Sequence, residues 1–400
     1  MRKRFIVTVV ILLFICISFN PSFALDNIGK FSIPNSDGNI LYVGGNGTGN
    51  YSRIQDAIDN ASDDDTVFVY AYSSPYYENL IVNTSIDLIG EDRNATIIDG
   101  KRINDTIWIK TSSVNVSGFT ILNSSTEVGK TGIFVIEKMW WQPNDPPWLT
   151  YINISNCIIR NNRCGIRLYS TCAINISYCY IHNNTSNSIL IDSALHVNVN
   201  NCKITHNGGI HNGGFYSGEI HIGRDNDLGI NTNNITISNC SISNNIFAGL
   251  SITNSEQNIE IHHNNIFENT IFGIFVSKST TIIYNNHIYK NGIGEFLNSG
   301  VFIQDCIHSV LVNNNVIESN NKYGLCLLRS IANKVIKNNF IGNICNAFFI
   351  QFSLFTNWND NYWTDWIGLG PKLIKGKLGE MIIPWVNFDL HPAKEPYDIP

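Results

Sequence analysis

Residues 152–162 read INISNCIIRNN, and residues 174–184 repeat the same pattern as INISYCYIHNN. Further copies follow at residues 197–207, 235–245, 259–269, 281–291, 310–320 and, in degraded form, 334–344. Most copies begin 22 to 24 residues after the previous one, and the longer intervals contain insertions. Apolar residues occupy alternate positions in each copy, which indicates a strand with one buried face.

The repeat predicts one stacked array of strands. A single copy cannot bury its apolar face alone, whereas copies stacked in register build a continuous core of Ile and Val. A further short strand follows each copy, for example at residues 165–168 and 273–276. We therefore predict an all-β fold, a right-handed parallel β-helix built as a single-stranded solenoid.

Two positions of the repeat form columns when the copies are stacked. The final asparagine can hydrogen-bond its neighbours and the turn backbone, so we assign it a structural role. This asparagine recurs as Asn162, Asn184, Asn207, Asn245, Asn269, Asn291 and Asn320. The sixth position holds Cys157, Cys179, Cys202 and Cys240, then Asn264, Asn286, Asn315 and Asn339. We expect buried free thiols here; a disulfide within the column is the alternative, and a metal site is less favoured because no C-x-x-C pair is present.

The N-terminal residues are typical of a signal peptide. A basic start is followed by an apolar run at residues 5–19 and by small residues at 22–24, which predicts cleavage after residue 24. We therefore expect a protein that is secreted or on the cell surface. The apolar run is shorter than the ~20 residues of a spanning helix, and no membrane span is expected in the mature chain.

Caps are expected at both ends of the solenoid, because its ends would otherwise expose the core and unpaired strand edges. Residues 51–61 have helical apolar spacing with a Ser near the start, which predicts a short capping helix. We place the N-terminal cap and first rungs at residues 25–112, the repeats at 113–355 and an aromatic C-terminal cap at 356–400. Clustered tryptophans at 358–366, and Trp385 and Phe388 beyond them, are interpreted as part of this cap, with a ligand platform as the alternative.

The charge balance narrows the possible partners. The formal net charge is −6, and loss of residues 1–24 removes three positive charges, so that −6 − 3 = −9. An acidic chain is poorly suited to nucleic acid, and we expect none as a partner. Nine of the ten cysteines remain after cleavage, an odd number that leaves at least one thiol unpaired. A monomer is expected.

Four features of the sequence resemble a known group of proteins. The segments at residues 41–70 and 78–100, the repeats and the NYWTDW sequence at 361–366 resemble the pectin-lyase-like superfamily. More narrowly, they are similar to NosD-type right-handed β-helix-repeat proteins of archaeal secretomes. The resemblance implies the β-helix fold, which hosts polysaccharide lyases, glycoside hydrolases and adhesins. The NosD role in copper-site assembly is a further alternative, although only three Met occur and the Cys column is expected to be buried.

Interruptions of the repeat give two candidate sites. The first is a Pro-rich loop at residues 137–148 with Trp140, Trp141 and Trp148, whose rings can stack on sugars or pack on the neighbouring rung. In the second, near residues 206–234, alignment of three rungs places Arg167 and His221 in one outward column with Leu190 between them. Tyr169 and Asp192 share the next column, and Glu219 replaces a small residue at the corner. We expect these side chains to converge.

The chemistry of the second candidate site stays open. Asp192 and Glu219 are candidates for an acid and base pair on a glycosidic bond. Alternatively, Arg167 or His221 can remove a proton beside a uronate carboxylate. Polar surface residues beside a long loop are the plain interpretation. No cofactor is expected; calcium is a weakly supported alternative, because the sequence DNDLG at 225–229 is only a fragment of a calcium loop.

We predict a protein that binds extracellular polysaccharide or cell-surface glycan, with Trp140, Trp141, Trp148 and Tyr169 in contact with the sugar. A polysaccharide lyase or glycoside hydrolase is the alternative, so enzymatic activity is left open. Several N-x-[ST] sequons, such as Asn46, Asn83, Asn94, Asn104 and Asn234, are consistent with a glycoprotein, whereas Asn184 is expected to be inaccessible in the stack.

Overall fold

The computed structural model describes residues 38–136, 149–208, 218–223, 232–255, 257–293, 297–379 and 383–400. The predicted signal peptide, the Trp-containing loop and residues 225–229 lie outside them, and the predicted domain boundaries stay predictions. The described residues form an all-β right-handed parallel solenoid of about 13 turns, as the repeat predicts. Among them, no helix is long and apolar enough to cross a membrane.

A full turn contributes one strand to each of three faces, called sheets 1, 2 and 3, which the chain visits in that order; the first turns lack a sheet 2 strand. Antiparallel pairing of the last two strands joins sheets 1 and 3 into one hydrogen-bonded sheet. The strands of sheet 1 are Ile40–Val43, Thr66–Val69, Asp87–Gly90, Val114–Ser117, Leu149–Ser155, Thr171–Ser177, Leu195–Asn200, Asn233–Ser238, Gln257–His262, Thr281–Tyr284, Val310–Asn313, Lys334–Ile336, Asn357–Asn359 and Ile383–Asp389. Those of sheet 2 are Ile97–Asp99, Thr120–Leu122, Ile158–Arg160, Tyr180–His182, Lys203–Thr205, Ser241–Ser243, Asn265–Phe267, His287–Tyr289, Val316–Glu318, Asn339–Ile341 and Tyr362–Trp363. Those of sheet 3 are Leu80–Val82, Ile107–Ile109, Thr131–Val135, Cys164–Tyr169, Ile189–Asp192, Gly218–Gly223, Ala248–Thr253, Phe272–Ser277, Ser299–Gln304, Tyr323–Leu328, Cys345–Ile350 and Lys372–Leu378.

Parallel pairing in register aligns equivalent apolar residues from turn to turn. In sheet 1, Ile152 pairs with Ile174, which pairs with Val197. In sheet 2, Ile159 pairs with Ile181. These side chains are at most 1% exposed and belong to one continuous apolar core. The alternation in the repeat therefore sends its Ile and Val side chains inward and leaves the intervening side chains on the outer faces.

Asparagine side chains form two ladders, each on the inside of a bend where the chain passes from one sheet to the next. Asn184 accepts a hydrogen bond from the Asn162 backbone N–H at 3.0 Å and donates to Asn207 Oδ1 at 3.0 Å. Equivalent bonds continue through Asn245, Asn269, Asn291 and Asn320 to Asn343. Asn184 is 1% exposed, so the predicted structural role is confirmed and the ladder encloses its sequon.

The second column changes from cysteine to asparagine between Cys240 and Asn264. Asn264 Oδ1 accepts a hydrogen bond from the Cys240 backbone N–H at 2.9 Å. All nine cysteines of the described residues carry free thiols, and the four of this column are at most 2% exposed. The expectation of buried free thiols agrees with this structure.

The predicted column is wrong at its last member. Asn338 Oδ1, and not Asn339, accepts the hydrogen bond from Asn315 N–H, at 3.0 Å. Pairing of Val312 with Val335 and of Ile317 with Phe340 fixes this register. Asn339 instead begins the next strand of sheet 2 and bonds the backbone of Tyr397. Two adjacent asparagines made the sequence alignment ambiguous by one residue.

Caps lie at both ends of the solenoid. The predicted helix spans Ile54–Asn60 and buries Ile54, Ala57 and Ile58. Its first N–H groups donate to the Glu78 carboxylate, at 2.8 and 3.0 Å, so a residue from the next turn caps the helix instead of the nearby Ser. At the other end, Trp358 and Trp363 are buried as expected, and Trp363 stacks on Phe340 at 4.3 Å.

Candidate functional site

The outer face of sheet 3 carries the residues singled out near the second interruption. Arg167 pairs with Leu190, which pairs with His221, and Tyr169 pairs with Asp192. The predicted alignment of these three rungs is therefore confirmed. Arg167, Asp192 and His221 are partly exposed on this face.

These three side chains line a groove of about 610 Å³ on sheet 3, which we call the sheet 3 groove. It crosses the rungs from Thr131 to Gln304, which are seven consecutive strands in the register of the sheet. At ~4.8 Å per rung its length is about 29 Å. Its other polar lining residues include Lys130, Arg163, Asn187, Asn254, Ser277, Lys278 and Asp305.

Arg167 is held by rings and by a carboxylate. Its guanidinium lies 5.5 Å from the ring centres of Phe134 and of Tyr169. Asp192 Oδ2 lies 3.9 Å from Arg167 Nη2. Contacts with ring faces restrain the guanidinium while leaving its N–H groups free to point at a ligand. The side chain remains 26% exposed, so it is accessible from the groove.

A smaller cavity of about 280 Å³ adjoins the N-terminal end of the groove and shares Arg167 with it. Asp105, Lys130 and Tyr169 also line it. Asp105 accepts a hydrogen bond from the Thr131 N–H at 2.7 Å and lies 3.5 Å from Lys130 Nζ. Burial is the largest influence on the Asp105 carboxyl and raises its pKa, against the opposing effect of these partners.

His221 presents a neutral imidazole to the groove. Its Nδ1 lies 2.7 Å from Ser251 Oγ. Burial lowers the pKa of His221 to about 4. The ring is therefore uncharged at neutral pH, with one nitrogen engaged by the serine hydroxyl.

Glu219 does not reach the groove, in contrast to the predicted convergence. It is fully buried, and Ser188 Oγ donates to its Oε2 at 3.3 Å. The corner position it occupies faces inward: a Cβ built on the equivalent Gly249 would lie 3.0 Å from the side chains of Asn269 and Ile266. Burial raises the pKa of Glu219 well above its usual value. The rule that alternate side chains of a strand point outward would place Glu219 beside His221 on the outer face, and it does not hold at this corner.

The remaining predicted residues divide into two groups. Tyr169 lines the smaller cavity and contacts Arg167. Trp140, Trp141 and Trp148 lie outside the described residues. The segment that contains them follows Ile136, which also lines the smaller cavity. The chain therefore enters this segment at the N-terminal end of the groove.

Sequence reasoning missed the residues at the two ends of the groove. Lys130 and Asp105 lie at one end, and Lys278, Gln304 and Asp305 at the other. Arg329 holds Asp305 through two hydrogen bonds of 2.6 and 3.0 Å. The sequence alignment of outward positions covered only the three rungs beside the interruption. The same alignment, extended to the other strands of sheet 3, could have found these residues.

The described residues do not fit a copper site. Among residues 38–400, leaving out the undescribed stretches, no group of three or more His, Cys, Asp or Glu side chains is placed to hold a metal ion. The thiols of the Cys column point to backbone carbonyls, as when Cys179 Sγ lies 3.4 Å from the Ser177 oxygen. Soft ligands enclosed in this way give a metal ion no entry path.

Comparison with known proteins identifies the architecture. The family model of the right handed beta helix region matches residues 105–281, and that of the periplasmic copper-binding protein NosD matches residues 219–368. None of the curated proteins gives a significant sequence match.

Among the solved structures that are similar in fold, two are from Azotobacter vinelandii. The A-module of mannuronan C-5 epimerase AlgE6 is 18% identical, with 77% of this chain and 88% of that one covered and a TM-score of 0.61. The AlgE4 A-module is also 18% identical, with 76% and 94% covered and a TM-score of 0.57. At this level of identity the likeness concerns the fold alone.

Proposed function

Since this chain folds as a right-handed parallel β-helix, we propose that it binds an extracellular polysaccharide along the sheet 3 groove. The observation that carries the proposal is the groove itself, which runs parallel to the solenoid axis across seven rungs. An extended site of about 29 Å suits a linear polymer better than a compact small molecule.

The lining of the groove suits sugars. Amide and hydroxyl groups of Asn254 and Ser277 offer both donors and acceptors to sugar hydroxyls. Arg167 and Lys278 add positive charge, and Tyr169 adds an aromatic ring at one end. We propose that Trp140, Trp141 and Trp148 extend this end as a stacking platform. The AlgE modules, which share the fold, are named for action on mannuronan.

Affinity electrophoresis through gels that contain each of a panel of neutral and acidic polysaccharides tests the proposal. We expect retardation by at least one polysaccharide, and a loss of about tenfold in affinity in Arg167→Ala, as for an interface residue worth about 1.4 kcal/mol. Arg160→Ala is the matched control, because Arg160 lies in sheet 2 and does not line the groove. Equal retardation of both variants would place binding elsewhere.

A catalytic function is the second candidate, and the position of the His221 imidazole in the groove favours it. As the base, His221 would take the proton next to a uronate carboxylate that Arg167, two rungs away, binds. The bond to the glycosidic oxygen on the neighbouring carbon would then break, and that oxygen would leave with a proton from solvent to give an unsaturated sugar. Asp192 then orients Arg167. Absorbance of unsaturated products tests this function: activity that His221→Gln abolishes, with binding retained, supports it.

Secretion and glycosylation belong to the same proposal. Asn83, Asn94 and Asn104 are exposed and stand in N-x-[ST] sequons, so they are available to a glycan. The proposal places the protein outside the cell, where its polysaccharide is found. Mass spectrometry of the purified native protein tests this part. We expect a chain that begins after residue 24 and carries the additional mass of attached glycans.

A further inference from the structure

A serine hydroxyl engages one nitrogen of the His221 ring. Ser251 pairs with His221 on the next strand of sheet 3, and its side chain is fully buried. Its Oγ lies 2.7 Å from the Gly218 backbone nitrogen and 2.7 Å from His221 Nδ1. A backbone N–H can only donate, so Ser251 Oγ accepts the hydrogen bond from Gly218. The serine hydroxyl proton is then left for the histidine.

This hydrogen bond decides the tautomer of His221. Within the part of the chain that the structure describes, His221 Nδ1 is the only acceptor within hydrogen-bond distance of the Ser251 hydroxyl. If Nδ1 carried a proton, Ser251 Oγ would accept both hydrogen bonds, and its own proton would be buried without a partner, which is unfavourable. If Nδ1 is the acceptor, every one of these groups is satisfied. The hydrogen-bond network therefore assigns the proton of the neutral ring to Nε2.

A glycine makes room for the other side of the ring. Gly223 follows His221 by two residues and pairs with Asp192, so it stands in an outward column where the preceding strands carry Tyr169 and Asp192. A Cβ built on Gly223 would lie only 2.7 Å from His221 Nε2, so a larger residue would displace the ring. No side chain among the described residues engages Nε2, and His221 lines the sheet 3 groove. Nε2 is therefore the ring nitrogen that is left for a ligand.

We infer that Ser251 and Gly223 are positioning residues, which hold His221 so that its Nε2–H donates a hydrogen bond to an oxygen of the bound sugar. This inference rests on the proposed polysaccharide binding along the groove. Arg167 supplies further donors two rungs away, which is about 10 Å at ~4.8 Å per rung. Two held donors favour polymers with acceptor oxygens at both positions, because a donor left unpaired costs affinity. The same tautomer counts against His221 as a catalytic base, since a protonated Nε2 has no lone pair for a substrate proton.

Nitrogen-15 NMR of histidine-labelled protein without ligand tests the tautomer at neutral pH, with the His221 signals assigned by their loss in His221→Gln. We expect an unprotonated Nδ1 and a protonated Nε2 in the wild type. The Nδ1 resonance should shift in Ser251→Ala and in Gly223→Ala, because the first variant removes the hydroxyl and the second displaces the ring. Ser243→Ala is the matched control, because Ser243 is buried in sheet 2 of the same turn and its hydroxyl lies 3.4 Å from that of Thr205.

A protonated Nδ1 in the wild type overturns the inference, and so does an Nδ1 resonance that Ser251→Ala leaves in place. The wild-type spectrum decides the tautomer even where a variant does not fold.

Affinity electrophoresis in gels with sodium alginate or dextran measures the donor role separately. We expect a loss of about tenfold in affinity in His221→Leu and a smaller loss in His221→Gln, whose amide retains a donor. Equal losses in the two variants would contradict donation by His221. If neither polymer nor any other of the panel retards the wild type, the proposed function fails and polysaccharide is excluded as the acceptor, whereas the NMR spectrum still decides the tautomer.

Discussion

At the scale of single residues, Glu219 and His221 show how position within one strand decides chemistry. They lie two residues apart, yet the first faces the interior at a corner and the second faces the groove. Burial favours the neutral form of both, so it raises the pKa of Glu219 and lowers that of His221. The sequence correctly predicted the column of His221. It missed the orientation of Glu219, because strict alternation does not hold where the chain turns.

Glu219→Gln is expected to stabilise the protein at neutral and higher pH. The folded state holds the Glu219 proton more tightly than the unfolded state does, so its contribution is complete below the unfolded pKa of about 4.3 and is lost as pH rises above it. Glutamine cannot ionise, so the stability of the variant does not fall with pH for this reason. Melting temperatures measured from pH 4 to 8 should therefore show a variant advantage that grows with pH. A constant difference would mean that Glu219 is not titrating in a buried site.

His221→Gln is expected to change stability in the opposite pH direction. Because the folded pKa of about 4 lies below the unfolded value of about 6.5, the unfolded state binds the proton more tightly between them. Wild-type stability should rise with pH over this window, by at most about 3 kcal/mol. Urea unfolding at pH 4.5 and 7 measures the rise. The variant should lack it, and an equal rise in both proteins would contradict the assignment.

At the scale of structural elements, the asparagine ladders tie each turn of the solenoid to the next. Asn286 is fully buried, accepts hydrogen bonds from Asn264, and donates to Asn315 Oδ1 at 2.9 Å and to the Ile261 carbonyl at 2.8 Å. The repeat predicts such a ladder because the same amide recurs at one period. Its register at Asn338 needed the structure, since the core residues Val335 and Phe340 decide between two adjacent asparagines.

Removal of one ladder amide is expected to destabilise the fold strongly. Asn286→Ala leaves several buried donors and acceptors without partners, each worth ~1–3 kcal/mol, and we expect a total loss of about 3 kcal/mol or more. Urea unfolding measures it. Asn198→Ala is the control, because Asn198 is exposed on sheet 1 and donates only to Asn175 at 3.2 Å. A loss below about 1 kcal/mol for Asn286→Ala would contradict a structural role of the ladder.

The change from cysteine to asparagine between Cys240 and Asn264 supports a second prediction for the asparagine ladders. Cys240→Asn should extend the ladder by one rung, because Asn264 Oδ1 already faces the Cys240 backbone N–H. We expect a change within about 1 kcal/mol. Cys179→Asn has cysteines on both neighbouring rungs and should cost more, since its amide gains no ladder partner. Parallel urea titrations compare the two, and an equal cost would argue against ladder continuity.

At the scale of the whole molecule, stacking turns a short repeat into a long surface. Arg167 and Gln304 are far apart in sequence, yet they line one groove because every turn adds one strand to sheet 3. The sequence predicted the solenoid, its caps and three residues of this groove. It could not predict the full lining, because the insertions before sheet 3 strands differ in length and obscure their register. Nor did it predict the exposure of Trp385 and Phe388, which were interpreted as part of the C-terminal cap.

Binding along the groove is the central claim, and hydrogen–deuterium exchange of the protein saturated with its best polysaccharide tests it most directly. We expect slower exchange in the sheet 3 strands Cys164–Tyr169, Ile189–Asp192 and Phe272–Ser277, with sheet 1 strands such as Leu195–Asn200 unchanged. Protection confined to sheet 1 or sheet 2, or no protection with any polysaccharide of the panel, would contradict the account.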